Sequence, residues 1–272
     1  MARDGSQSNE RGERDRRSAT PQLPGTLYVV STPIGYPDDI TLRALAILRR
    51  VTVVASEDPR VTQALLAHHS ITATVTSYGP LNRHEKMLLL LHRLTQGQDI
   101  ALVSDNGTPI IYDPGSLFVA AAHQAGIPVK AIPGPSTLTA ATAISGFSGD
   151  AIIFEGHLPS TKHHLAQYLS QLRKEQKTLV FYVRPRALTG LLKTLAQILP
   201  TRQTVIAMNL TTDQETLARG RPGELLDQIG PVAMDSAVTV VIEGYRIGSY
   251  RKKMTQKAPP CYSSSRRRMS TR

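Results

Sequence analysis

The chain has 272 residues, of which 40% are apolar and 5% aromatic, with no tryptophan; this is enough for a substantial core but speaks against a base-stacking platform as the main design. No run of about 18 apolar residues occurs, which excludes a membrane-spanning helix. The formal net charge of +11 is unevenly placed: residues 26–245 hold 18 basic and 17 acidic side chains, whereas residues 246–272 hold nine basic and none acidic.

Residues 1–24 are polar and charged and read as a disordered tail with no apolar stretch of signal-peptide length. Order is expected from Gly25, with a strand at Thr26–Ser31 and a helix at Thr41–Arg50, where Leu42, Leu45, Ile47 and Leu48 share one side. A strand at Val51–Ala55 leads to a helix at Val61–His68, a short strand at Thr74–Ser77 to a helix at Lys86–Thr95, and a strand at 100–104 to a helix at Gly115–Ala125. A strand at Val129–Ile132 and a helix at Ser136–Ser145 complete the first half. Strand and helix alternate throughout, which demands a mostly parallel sheet with helices on both faces. A boundary is expected near Gly146–Asp150, giving domains at 25–146 and 147–245. The second half reads as strand Ala151–Glu155, helix Lys162–Lys174, strand Thr178–Val183, helix Ala187–Leu199, strand Thr204–Asn209, helix Gly223–Ile229 and strand Ala237–Glu243. Domain interfaces favour ligand sites, so a cleft between the two is the expected location.

Three turns stand out. Ser104-Asp105-Asn106-Gly107-Thr108-Pro109 follows an apolar strand and precedes a helix, Ser31-Thr-Pro33-Ile-Gly35 follows the first strand, and Pro133-Gly-Pro135-Ser136 follows the strand at 129–132. Gly-rich turns at the carboxyl ends of parallel strands are where open α/β sheets bind ligands. Gly107 lets a ligand lie against the backbone, Asp105 accepts hydrogen bonds from hydroxyls or a cation, and Pro109 stiffens the exit. A purely structural turn is the competing reading. No GxxxxGK[ST] occurs and no GxGxxG follows a strand, which excludes an ordinary nucleoside-triphosphatase or dinucleotide dehydrogenase. The pairs His68-His69 and His163-His164 are expected to point to different faces and to suit solvent better than a shared metal, so no metal site is expected. The single Cys261 excludes an internal disulfide and a cysteine-based zinc cluster and fits a reducing, cytoplasmic setting. The tail from Arg246, with Arg251-Lys252-Lys253 and Arg266-Arg267-Arg268 among Ser and Pro, reads as disordered. It is suited to holding RNA phosphates by counterion release; the alternative is a solubilising tail.

Taken together, the turns resemble the tetrapyrrole methylase superfamily, and within it the branch that methylates small-subunit ribosomal RNA. The resemblance covers about residues 25–245 and rests on Leu27-Tyr-Val-Val-Ser-Thr-Pro-Ile-Gly35, Asp39-Ile-Thr41, Arg43-Ala44, Glu57-Asp58 with Arg60 and Thr62, Ala101-Leu-Val-Ser-Asp105, Gly107-Thr-Pro109, Asp113-Pro-Gly115, Pro133-Gly-Pro135, Glu155-Gly156, Leu158-Pro159 and Phe181-Tyr182. It implies a parallel-sheet N-terminal and a mixed-sheet C-terminal α/β domain, S-adenosylmethionine in the cleft between them, a homodimer, and methyl transfer to the ribose 2′-oxygen of a cytidine in 16S ribosomal RNA of the 30S subunit. The chain departs from the family pattern at Tyr36 (Asn in the family), Pro59 (Thr) and Asn106 (Ala). Larger departures fall in Phe181-Tyr-Val-Arg-Pro-Arg-Ala187, in Ala207-Met-Asn-Leu-Thr-Thr212 and at Ser236-Ala237. Two other readings stand beside it: a precorrin-type tetrapyrrole methyltransferase, and a homologue that binds RNA without methylating it.

Methyl transfer from a sulfonium needs in-line alignment and backbone acceptors rather than a strong cation near the sulfur. Pro33, Gly35, Gly107, Thr108, Pro109, Pro135 and Ser136, with Asp105, are the expected cofactor contacts; Tyr182 and Val183 resemble the second-domain segment that borders the cofactor. A ribose hydroxyl also needs a proton acceptor, for which Asp39, Glu57 and Asp58 are candidates. Asp39 alternatively caps the helix near Thr41, and Glu57-Asp58 alternatively pair with Arg60 or Arg43. Arg43 and Arg60 are candidates for gripping an RNA phosphate.

Overall fold

The computed structural model of the chain describes residues 23–246. The two tails, including Arg251, Lys252, Lys253, Arg266, Arg267 and Arg268, lie outside the described residues. Internal contacts divide the chain into two units, the first running to Thr137 and the second starting at Leu138, while the sequence suggested a boundary at 146.

The first unit is a five-stranded sheet. Its strands are β1 (Leu27–Val30), β2 (Val53–Ser56), β3 (Thr74–Ser77), β4 (Ile100–Val103) and β5 (Val129–Ile132), in the order β3-β2-β4-β1-β5, and all pairs are parallel. Between them run α1 (Leu42–Arg50), α2 (Pro59–His68), α3 (Arg83–Thr95) and α4 (Ser116–Gln124), and α5 (Thr137–Ser145) starts at the division. Successive strand side chains point to opposite faces, which yields two cores. Tyr28, Val30, Val54, Ala101 and Val103 pack with Ala44, Leu48 and Leu66 of α1 and α2. Leu27, Val53, Ala55, Ile100 and Leu102 pack with Leu90, Leu94, Phe118 and Ala122 of α3 and α4. Burial on both faces explains why β1, β2 and β4 read as largely apolar runs.

The second unit contains β6 (Ile152–His157), α6 (Lys162–Gln171), β7 (Thr178–Val183), α7 (Pro185–Ile198), β8 (Thr204–Met208), β9 (Thr216–Gly220), α8 (Pro222–Gln228) and β10 (Val238–Ile242). Its sheet runs β6-β7-β10-β8-β9. Only β6 and β7 pair in parallel; β10 runs antiparallel to both β7 and β8, and β8 to β9. The core sets Leu179, Phe181, Val183, Ile206, Val238, Val240 and Ile242 against Leu165, Leu169, Leu188, Leu191, Leu192, Leu195 and Leu225 of the helices. Strand β9 escapes the sequence reading because Thr216 to Arg219 are exposed or half-buried on this edge strand and carry no apolar alternation. Helix α6 ends at Gln171 instead of Lys174, and α7 begins at Pro185, where a proline's fixed φ suits the first helical position.

Candidate functional site

The register aligns Val30 with both Val103 and Ile132, so the turns after β1, β4 and β5 leave the sheet at one edge, side by side. Hydrogen bonds lock them together. The backbone N–H of Ser31 donates to Ile132 O at 3.1 Å, and that of Thr32 to Gly107 O at 2.9 Å. The Thr32 hydroxyl donates to Ser104 O at 2.9 Å, with Gly107 O at 3.3 Å. The Thr108 hydroxyl donates to Pro135 O at 3.1 Å, so the Ser31 hydroxyl, 3.0 Å away, donates to Thr108. Thr108 is thus a fastener between turns. Gly107 has φ +88°, and a Cβ there would stand 3.2 Å from Ile34 Cγ2; only glycine fills this position without strain. Pro33, Gly107 and Pro109 are buried, Gly35 is exposed, and Asp105, Thr108, Pro135 and Ser136 are half-buried.

Beside this edge, carboxyl groups gather. Asp105 Oδ1 accepts from the Asp58 backbone N–H at 3.0 Å. Burial pushes the Asp105 carboxyl up, opposed by that hydrogen bond and reinforced by the charges of Glu57 and Asp58. Asp113 joins the group: desolvation first, then its hydrogen bond with Glu57, raise its pKa to about 7, while a bond from Ser104 opposes the rise. Two buried polar atoms here lack any protein partner, Asp113 Oδ2 and Ser56 Oγ. The loop carrying Asp113 is strained: Ile110 and Tyr112 have φ of 75° and 61°, and such values in a β-branched residue cluster at functional sites. In the sequence Asp113 stands out only as part of the Asp113-Pro-Gly115 motif of the resemblance. The order β2-β4 within the sheet, which brings it to Glu57, is not visible in any local pattern.

The remaining expected residues separate. Asp58 is the N-cap of α2, accepting from Arg60 N at 2.9 Å, and its ion pair with Arg60 at 3.8 Å is exposed. Asp39 ends an exposed 3-10 turn, Pro37–Asp39, and does not cap α1; Thr41 does, accepting from Ala44 N at 3.1 Å. Arg43 lies on the exposed side of α1. Tyr182 and Val183 close β7 in the second unit, where they line a cavity with cationic side chains. The pair His68-His69 does not diverge as expected: ligand atoms of both lie within 4.8 Å of each other and of Asp38. His69 sits just past the last residue of α2, at φ −95° and ψ 14°, so the helical angle between neighbours is relaxed and the rings meet edge-on at 4.7 Å. His68 Nε2 is 2.9 Å from Asp38 Oδ1 and His69 Nε2 donates to Pro37 O at 3.1 Å. These contacts fasten the end of α2 to the loop after β1.

With this geometry established, the likeness to known proteins is specific. Residues 26–226 match the model of the Tetrapyrrole (Corrin/Porphyrin) Methylases. The chain belongs to that family. Among this methylase's relatives, a protein of Thermotoga maritima is 37% identical over 81% of this chain and 99% of its own length. One of Micromonospora olivasterospora is 42% identical over 81% of this chain and 71% of its own. Both are called ribosomal RNA small subunit methyltransferase I. A solved cobalt precorrin-4 methyltransferase superposes with a TM-score of 0.63 at 20% identity, covering 80% of this methylase and 94% of that chain. A uroporphyrin-III C-methyltransferase from Thermus thermophilus, complexed with S-adenosyl homocysteine, gives a TM-score of 0.57 at 21% identity, covering 80% and 97%. At these identities the two structures show a shared fold.

Proposed function

We propose that the chain is a ribosomal RNA methyltransferase that uses S-adenosylmethionine and acts on the ribose 2′-oxygen of a cytidine in 16S ribosomal RNA, working as a cytoplasmic homodimer. The observation that carries the reading is the locked edge where the turns after β1, β4 and β5 meet beside the Asp105, Glu57 and Asp113 carboxyl groups. The name shared by relatives near 40% identity favours RNA over a tetrapyrrole acceptor.

The residues present fit the cofactor. Asp113 Oδ2 and Ser56 Oγ are buried without partners, and no lysine or arginine belongs to the three turns. Pro33, Gly35, Gly107, Thr108, Pro109, Pro135 and Ser136 would border it, with Asp105 accepting its hydroxyl or ammonium hydrogens. The cofactor supplies the electrophilic methyl group. The Asp113 carboxyl, raised to about 7 by burial and by its hydrogen bond with Glu57, is of the acids considered best poised to take the proton of a ribose hydroxyl. Asp58 positions Asp105 through its backbone N–H, and Asp39 stands at the margin as a substrate contact. Arg43, Arg60 and the basic clusters at 251–253 and 266–268 are the proposed phosphate contacts.

Calorimetric titration with S-adenosylmethionine, followed by methyl transfer to 30S subunits from a strain lacking the modification, tests the reading. Micromolar binding and incorporation at a ribose 2′-oxygen are expected. A folded protein with no cofactor affinity, alone or with 30S subunits, refutes it and leaves an RNA-binding homologue.

A further inference from the structure

A concavity lies wholly within the second unit. It has a volume of about 770 Å³, within the range that holds a small organic ligand. Its walls come from the end of β6 at His157 and the turn to Ser160, the start of α6, the end of β7, α7 from Arg186 to Gln197, and Leu226 of α8. Leu165, Val183 and Leu191 are buried in its floor, and half-buried Leu158 and Tyr182 continue the apolar surface. The polar part of the lining is one-sided. Lys162, Arg184, Arg186 and Lys193 are exposed around it, and no aspartate or glutamate lines it. None of these four cations forms an ion pair among the described residues. Both α6 and α7 begin here, and neither has an acid in its first turn, so two positive helix ends add to the cationic field. An apolar floor beneath four uncompensated cations fits a ligand that is partly planar and apolar and partly anionic.

We propose that this pocket takes a nucleotide of the RNA substrate, with its phosphate held by Arg184, Arg186, Lys162 and Lys193 and its base over Leu158, Leu165, Val183 and Leu191. The proposal rests on the RNA methyltransferase reading and adds to it a subsite in the second unit. His157 is an internal reporter. Burial, and after it the nearby Arg184 charge, hold its imidazole below the usual histidine range; a bound phosphate offsets the Arg184 charge and raises it.

The test uses the full chain and a fluorescein-labelled single-stranded RNA of twelve nucleotides, comparing wild type with Arg184→Ala/Arg186→Ala by anisotropy across a salt series. Each phosphate contact to a single strand contributes about 0.7 to the slope of log affinity against log salt. The double variant is expected to bind about tenfold more weakly, with a slope shallower by about 1.4, while S-adenosylmethionine affinity and Tm stay at wild-type values. Arg184→Lys/Arg186→Lys should restore most of the slope. Cytidine 5′-monophosphate should raise the His157 pKa in wild type and leave it unmoved in the alanine variant. Identical RNA affinity and slope in wild type and variant overturn the subsite while leaving the RNA reading standing. A glutamate-rich peptide that displaces RNA as well as cytidine 5′-monophosphate does, at equal charge, assigns the pocket to an acidic protein segment and also overturns it. A wild-type protein with no RNA affinity and no methyl transfer removes both readings.

Discussion

Asp113→Asn isolates the titration of the raised Asp113 carboxyl. In the folded chain the Asp113 carboxyl is raised from 3.8 to about 7, so between these values the folded state keeps a proton that the unfolded state has released. Its contribution to stability is complete below 3.8 and is lost as pH rises through 7. A shift of about three units corresponds to ~4 kcal/mol at about 1.36 kcal/mol per unit. Asp113 is only half-buried, and solvent screening reduces this to about 2 kcal/mol. Asparagine keeps the shape and one hydrogen-bonding oxygen but does not ionise, so the variant avoids the loss. For a protein of this size about 1 kcal/mol moves Tm by about 2–4 °C; the variant should therefore melt about 4–8 °C above wild type at pH 8, with the gap shrinking steadily toward pH 5. Scanning calorimetry at half-unit intervals measures it. A gap that is constant between pH 5 and pH 8 would refute a raised Asp113.

The same site makes further predictions. Asp105→Ala should abolish measurable cofactor binding by calorimetry, and an affinity within threefold of wild type would move the cofactor elsewhere. Gly107→Ala forces a Cβ against Ile34 at positive φ; it should cost about 1–2 kcal/mol in chemical denaturation and at least tenfold in cofactor affinity, and a variant as stable as wild type would contradict the strain argument. Thr41→Ala removes the cap of α1 and should cost about 1 kcal/mol, whereas Asp39→Ala should leave stability unchanged; the reverse ranking would restore Asp39 as the cap.

Periodicity made the elements legible because burial leaves a local trace. Thr74–Ser77, Val129–Ile132 and Thr178–Val183 match the structure residue for residue. The three turns were visible for the same reason, since glycine and proline mark backbone that side chains cannot substitute. Strand order leaves no such trace. The insertion of β4 between β2 and β1 joins Glu57 to Asp113, and neither residue announces the other along the chain. Thr41 and Asp39 were equally good caps by residue type; only the 3-10 turn at Pro37–Asp39 carries Asp39 away from the helix start. Charge was legible in amount but not in direction: Lys162, Arg184, Arg186 and Lys193 became one feature only when α6 and α7 folded around the same hollow.

The placement of β10 has a consequence for biosynthesis. This last described strand, buried at all five positions, lies in the middle of its sheet between β7 and β8. The first unit has every one of its strands by Ile132 and can complete its sheet early during synthesis, as leading domains commonly do. The second unit must wait: until Val238–Ile242 emerges, β7 and β8 expose apolar edges with unpaired backbone groups, which are templates for aggregation. A nascent chain interrupted before this strand would therefore carry a finished half and a sticky one, and the stretch of synthesis between β8 and β10 is where a chaperone would matter most.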